Sequence, residues 1–178
     1  MEPVFYSPMV IYNSGMGLSI SEETVATDAE SEIVSHKFIP QIITIEDTEK
    51  IVTPKVTLDK EKTQATYEAY QDIFGNIMPV EIKGVQGFWF APIDDVVQLM
   101  GTNELLLNVA LEPDLVHASM KKIVDAYMGA LDQYEALGCL GSNNLNYRIG
   151  SGAYGYSSKL PRGPMNGMKC ADMWGASA

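Results

Sequence analysis

The stretch from Pro113 to Gly138 constrains the fold more than any other part of the chain. Pro113 stands between Glu112 and Asp114, a composition suited to a helix N-terminus, where a missing N–H costs nothing and acids meet the positive end of the dipole. Val116, Met120, Ile123, Tyr127, Leu131 and Tyr134 then recur at steps of four, three, four, four and three, and Gly138 provides the stop. The spacing predicts an amphipathic helix over residues 113–137. One face of such a helix must lie against apolar structure supplied by the rest of the chain.

The surrounding segments read as strands and shorter helices. Val4 to Tyr12 is an apolar and aromatic run ended by Asn13, Ser14 and Gly15, which predicts a buried strand leading into a turn. Residues 13–58 carry no sustained period, although IEDTEKIV, bracketed by Pro40 and Pro54, suits one surface helical turn. A helix is expected from Asp59, a side chain able to cap free amides, to Gly75, with Tyr67, Tyr70 and Phe74 on one face. Residues 78–84, MPVEIKG, alternate as a strand with Val80 and Ile82 inward and Glu81 and Lys83 outward. FAPIDDVVQLMG predicts a short helix burying Ile93, Val96, Val97 and Met100 and ending at Gly101. LNYRIG, residues 145–150, reads as a further strand, residues 151–167 as a long loop, and Lys169 to Met173 as a last strand. Strands alternating with helices define an α/β protein with a parallel sheet and helices outside it.

Composition narrows the partners. The 178 residues include 23 acidic and 12 basic side chains, a formal charge of −11, which opposes binding to nucleic acid and to anionic membrane surfaces. The length suits one sizeable core. No basic region precedes an apolar run at the start, and no uncharged apolar stretch reaches the roughly 18 residues of a membrane span, so a soluble cytoplasmic protein is expected. Cys139 and Cys170 lack CxxC spacing and read as reduced thiols.

The order of these pieces resembles the uroporphyrinogen decarboxylase superfamily, which also holds cobalamin-linked methyltransferases. The residues that carry the resemblance are Gly87 with Phe88 in a glycine-aromatic turn, Gly101 ending a short helix, Glu112 to Val116 as a helix start, and Ala136 with Gly138 closing a long helix. VFYSPMVIYNSGMGLSI is similar to the family's early strand, and ADMWGASA to its FDSWAG-like strand end. The resemblance implies a TIM (β/α)8 barrel, with sites at the carboxyl ends of its strands. It also implies that only about the first half of that barrel is present, so that the chain is a partial barrel domain expected to pair with the remainder or to form a homo-oligomer. Three departures bear on activity. Pro8 stands where decarboxylases place the Asp that stabilises charge on the tetrapyrrole, Val97 falls near a substrate-contacting Tyr, and Met173 replaces a Ser. Uroporphyrinogen decarboxylation is therefore not expected. The methyltransferase branch implies zinc and a corrinoid partner protein, with the zinc ligands in the second half of the barrel.

Three residues are candidates for binding a small-molecule substrate. Asp172 aligns with the Asp of FDSWAG, where it either hydrogen-bonds a ligand or caps the following helix. Trp89, in the glycine-aromatic turn, forms either an aromatic wall for a flat ligand or part of the core. Arg148 either meets a carboxylate or phosphate as a bidentate donor or belongs to an Asn-rich turn with Asn143, Asn144 and Asn146. Trp174 shares the position of Asp172 at the expected barrel mouth. Cys139 and Cys170 read as structural rather than ligating, and His36 and His117 as surface residues. Asp94 and Asp95, about 100° apart around a helix, favour its N-terminus through the dipole. SGAYGY does not match a nucleotide-binding glycine pattern. Two functions follow: a methyltransferase-like enzyme of the superfamily, its catalytic groups mostly outside these residues, or a non-catalytic barrel remnant that holds a ligand.

Overall fold

The computed structural model describes residues 3–26, 34–143, 147–150, 153–155, 159 and 167–173. The chain divides into two compact units. The first comprises Met1–Ser14, Lys55–Phe90 and Ala130–Ala178, and the second Gly15–Pro54 and Ala91–Gly129.

The first unit holds parallel structure. Strand β1 (Phe5–Pro8) pairs in parallel with the strand Val80–Lys83, in a register that sets Phe5 beside Val80, Tyr6 beside Glu81, Ser7 beside Ile82 and Pro8 beside Lys83. The expected single strand from Val4 to Tyr12 is in fact two. Beyond Met9 and Val10 the chain re-pairs as β2 (Ile11–Asn13), antiparallel to Val56–Leu58. The break has a chemical cause: the Val10 amide donates to Thr63 Oγ1 at 2.9 Å and its carbonyl accepts from the Asp59 amide at 2.9 Å, so neither serves the parallel ladder.

In chain order the remaining strands are β3 (Glu22–Ala26) and β4 (Val34–Phe38), an antiparallel pair in the second unit, then β5 (Val56–Leu58) and β6 (Val80–Lys83). The β3–β4 pair lies in the segment that shows no period in the sequence. The surface helical turn forms as expected, a 3-10 helix over Ile45–Lys50, fastened by Asp47, whose carboxylate accepts from the amides of Ile43 and Thr44 at 2.9 and 2.8 Å.

Helix α1 (Lys60–Phe74) begins where the Asp59 carboxylate accepts from the Lys62 amide at 2.9 Å and ends at Gly75. Its aromatic face meets β1: Phe5 stacks on Phe74 with centroids 4.4 Å apart and tilts against Tyr70 at 4.8 Å. Helix α2 (Pro92–Met100) buries Val96, Leu99 and Met100, whereas Ile93, expected inside, is 50% exposed. Gly101, at φ 91°, turns the chain directly into helix α3 (Thr102–Leu111), an element without a counterpart in the sequence reading.

Helix α4 (Pro113–Ala136) occupies the predicted span, but its innermost line differs from the predicted stripe. Leu115, Ser119, Ile123, Ala126, Ala130 and Tyr134 are buried, while Val116, Met120, Tyr127 and Leu131 are half-buried on its flank. Ser119, Ala126 and Ala130 on this line are small, and larger apolar side chains flank it. Up to Ala126 this line joins the second unit's core, with Ile42, Ile51, Val96, Leu99, Met100 and Leu105; Ala130 and Tyr134 join the first unit's, with Val56, Cys139, Leu140 and Met168.

After α4, Leu140 forms an isolated parallel bridge with Val85. Three chain segments of the first unit thus run parallel in the order β1, β6 with Val85, and Leu140. Two later expectations are corrected. The expected parallel strand at residues 145–150 is described only over Tyr147–Gly150 (β7), which pairs antiparallel with β8 (Ala153–Gly155), inside the stretch read as loop. Lys169 to Met173 is not a strand, because Cys170–Asp172 is a 3-10 turn closed by the Asp172 carboxylate, which accepts from the Lys169 amide at 3.0 Å. The sheets are all two-stranded, and no closed barrel forms among the described residues. Among them, no helix is long and apolar enough to cross a membrane.

Candidate functional site at the parallel strand ends

The carboxyl ends of parallel strands gather loops on one edge of a sheet, and in α/β proteins ligands bind there. In the first unit this edge is formed by Pro8 and Met9, by Lys83 to Phe90, and by Gly141 to Asn143. The Val85 amide donates to the Cys139 carbonyl and the Gly141 amide to the Val85 carbonyl, both at 2.8 Å, and Gln86 Nε2 donates to the Ser142 carbonyl at 2.8 Å. The approach is close: a Cβ on Gly84 would lie 2.2 Å from the Cys139 carbonyl oxygen, and one on Gly141 2.7 Å from that of Gly84. Glycine is required at both positions because the space is filled by backbone.

Strand alternation sorts the side chains of this edge. Tyr6, Pro8, Glu81 and Lys83 share one face of the β1–β6 pair, and Phe5, Ser7, Val80 and Ile82 share the face toward α1. Lys83, which the sequence pattern puts outside, is only 8% exposed. Its Nζ lies 3.9 Å from the Tyr6 ring centroid, a cation–π contact worth roughly 2 kcal/mol when desolvated, and Lys83 engages a further partner besides. Burying an ammonium costs several kcal/mol, so contacts of this kind are needed for it to stay charged. Glu81 is exposed, two residues back along the same face.

On the opposite face Ser7 is fully buried, and its hydroxyl has no hydrogen-bond partner among the described residues. A cleft of about 520 Å³ is lined by Met9, Leu58, Thr63, Tyr67, Val80 and Ile82 together with the polar Lys60, Gln64 and Glu81. Thr63 contributes no free donor there, since its hydroxyl donates to the Asp59 carbonyl at 2.7 Å.

The sequence candidates divide. Trp89 does lie in the loop after β6 and Val85, and at 58% exposure it is not core. Its neighbours take that role: Phe88 stacks on Phe90 at 5.3 Å and meets Tyr134 edge-on at 5.0 Å, leaving the indole between them outward. Asp172 is half-buried with its carboxylate engaged in its own turn, and the segment it was expected to cap lies outside the described residues. Arg148 lies in β7 opposite Tyr154, with its side chain outside the described residues, as are Asn144, Asn146 and Trp174. Asn143 is buried just past Leu140.

Cys139 is fully buried and Cys170 half-buried, both in the first unit's core cluster. Burial pushes both thiols up, and for Cys170 the Glu135 carboxylate, which accepts from its amide at 3.0 Å, and Asp132 push the same way. Neither is disposed to be the thiolate that metal binding or nucleophilic attack requires. Among the described residues no three His, Cys, Asp or Glu side chains gather as a metal site. His36 is an exposed residue paired with Glu22 at 3.0 Å, and His117 is exposed on α4. Asp95 does more than favour its helix end: its carboxylate accepts from the Tyr127 hydroxyl in the second unit, and burial, followed by repulsion from Asp94, raises its pKa.

Lys83 and Ser7 were hidden from pattern reading because alternation in a four-residue strand assumes that polar side chains face water. The signal available was positional: a lysine at the last residue of a strand, immediately before Gly84. Comparison with known proteins finds no matching family model, no matching curated protein and no matching solved structure.

Proposed function

We propose that the first unit supplies the opening strands of a (β/α)8 barrel of the uroporphyrinogen decarboxylase type, and that this barrel handles a small molecule as a methyltransferase-like member served by a corrinoid protein. The observation that carries the reading is the order of the parallel segments. β1, β6 with Val85, and Leu140 neighbour one another in chain order, with α1 before the second and α4 before the third. Repeated β-helix-β passage of this kind is how such barrels are wound.

Decarboxylation of uroporphyrinogen is set aside on chemical grounds. Pro8 ends β1 at the position of the decarboxylase acid, and no side chain there can hold the positive charge that forms on the tetrapyrrole. The groups that would carry methyl transfer are not among the described residues, so the role given to this unit is binding and orienting the substrate at the carboxyl edge. The same facts favour a second reading, a ligand-holding barrel without catalysis, since Pro8 offers no acid and the Asp172 carboxylate is already engaged.

Two incubations test the proposal on the full chain. Methylcobalamin is expected to quench tryptophan fluorescence saturably, and uroporphyrinogen to yield no coproporphyrinogen. Coproporphyrinogen formation, or the absence of saturable quenching, would overturn it.

A further inference from the structure

We propose that the outer edge of β6 docks a short extended peptide segment, one basic residue flanked by apolar β-branched ones, which adds to the sheet as a strand. The Phe5 amide donates to the Pro79 carbonyl at 2.9 Å and the Met9 amide to the Lys83 carbonyl at 3.0 Å, and with the register of the pair this turns the main chain of Glu81 and Lys83 toward β1. The amides and carbonyls of Val80 and Ile82 therefore point the other way, and among the described residues nothing pairs with them. The neighbouring chain at Leu140 reaches this segment only at Val85. Buried main-chain groups are almost always paired, and Val80 is 7% exposed, so its open amide and carbonyl call for a partner. Room for one lies alongside: Val80, Glu81 and Ile82 all line the cleft of about 520 Å³, a size within the range of ligand sites. Side chains of successive strand residues point to opposite faces, so a cleft that touches all three meets the strand along its edge. Met9 and Leu58 give it an apolar floor, which suits apolar side chains set beside Val80 and Ile82. Lys60, the one cation lining the cleft, belongs to α1 and so to the face that takes those apolar side chains. Glu81 points to the other face, is exposed, and forms no ion pair among the described residues, so the residue opposite it in an added strand is basic. Lys83 on that face does not neutralise it, being held over the Tyr6 ring. A second copy of β6 is a poor occupant, because pairing two such edges about their centre sets Glu81 against Glu81, and like charges directly opposite are destabilising.

The test uses the full chain, isotope-labelled, with three peptides: acetyl-Thr-Val-Lys-Val-Thr-amide, its counterpart with Glu in place of Lys, and the lysine peptide N-methylated at every residue. Hydrogen exchange at the Val80 and Ile82 amides is followed by NMR. The lysine peptide is expected to slow it saturably, by about tenfold or more when bound, because each amide gains an acceptor. The glutamate peptide is expected to bind about fivefold more weakly, the size of a cross-strand charge effect. The N-methylated peptide keeps the side chains, loses the donors and is expected to give no protection. Glu81→Lys, a change at an exposed side chain, is expected to reverse the order of the lysine and glutamate peptides. Equal binding of those two to the native chain, an unchanged order in Glu81→Lys, protection by the N-methylated peptide, or no response to the lysine peptide each overturns the proposal. Protection that rises with protein concentration in the absence of peptide assigns the edge to a second copy and overturns it too. None of these outcomes bears on quenching by methylcobalamin, so this proposal and the reading of the strand ends fail separately.

Discussion

At Asp95 the surroundings work against ionisation. The carboxyl loses water and faces Asp94, so its folded pKa lies above its unfolded value, and the folded state holds the proton more tightly. Stability from this group is therefore present below the unfolded pKa and is lost as pH rises through the window between the two values. Asp95→Asn keeps an acceptor for the Tyr127 hydroxyl and removes the charge. It is expected to raise the melting temperature at pH 7 and to change it little at pH 3, as read by circular dichroism; equal shifts at both pH values would refute the assignment. Asp47 behaves in the opposite sense. The Lys50 ammonium, 2.7 Å away, and the amides of Ile43 and Thr44 hold its pKa far below the usual carboxylate range, so its contribution is present above the unfolded pKa and disappears as acid is added. Ser7 allows a separate check. A buried hydroxyl without a partner costs free energy, so Ser7→Ala is expected to leave the protein as stable or to stabilise it by about 1 kcal/mol. A fall in the urea midpoint would show that the hydroxyl has a partner.

Among the elements, the parallel edge and α4 make the firmest predictions. Gly84→Ala would push a methyl group into the Cys139 carbonyl at 2.2 Å, and backbone cannot swing away as a side-chain end can. A loss of about 2 kcal/mol or more is expected in denaturant titration, within the range for overpacking. Ile123 is fully buried in the second unit's core, and Ile123→Asp would place an unpaired charge there. Several kcal/mol of destabilisation should follow. An unchanged melting temperature would place this face of α4 in water. Element boundaries were legible where chemistry is local: Asp59 and Gly75 frame α1, and Gly101 and Gly138 stop helices at positive φ. The innermost line of α4 was not, because large apolar residues mark a face without saying which of its residues sit at the centre. Ser119 and Ala126 are buried there although neither is a large apolar residue, and burial of that kind is a property of the pair of surfaces and not of the helix.

At the scale of the whole molecule, exposed apolar surface governs behaviour in solution. In α3 only Leu105 is buried, while Leu106 and Leu111 are each 70% exposed and Leu107 and Val109 nearly as much. A helix this apolar all round is ordinarily covered. The isolated chain is expected to associate, and to do so more as salt screens its net charge, whose reach falls to about 10 Å at 0.1 M. Light scattering across salt concentrations measures this; a monomer at every salt concentration that binds no hydrophobic dye would contradict it. Replacing Leu106 and Leu111 by Glu should reduce association without altering the circular dichroism of the fold.

The spans of α1, α2 and α4, their end signals and the acidic surface follow from the order of residues, since each depends on side chains a few positions apart. Strand partners do not. Val4 to Tyr12 reads as one strand, yet Thr63, far along the chain, takes the Val10 amide and splits it between a parallel and an antiparallel partner. Residues 145–150 are strand-like in composition, and whether they join a parallel sheet or fold back on Ala153–Gly155 depends on which edge they meet. Lys83 looks like any outward lysine until Tyr6 is brought beside it by the register of two strands more than seventy residues apart. Local sequence limits what each segment can form. Which face is buried, and which charge is carried inside with it, is decided only when distant segments compete for the same hydrogen bonds and the same space.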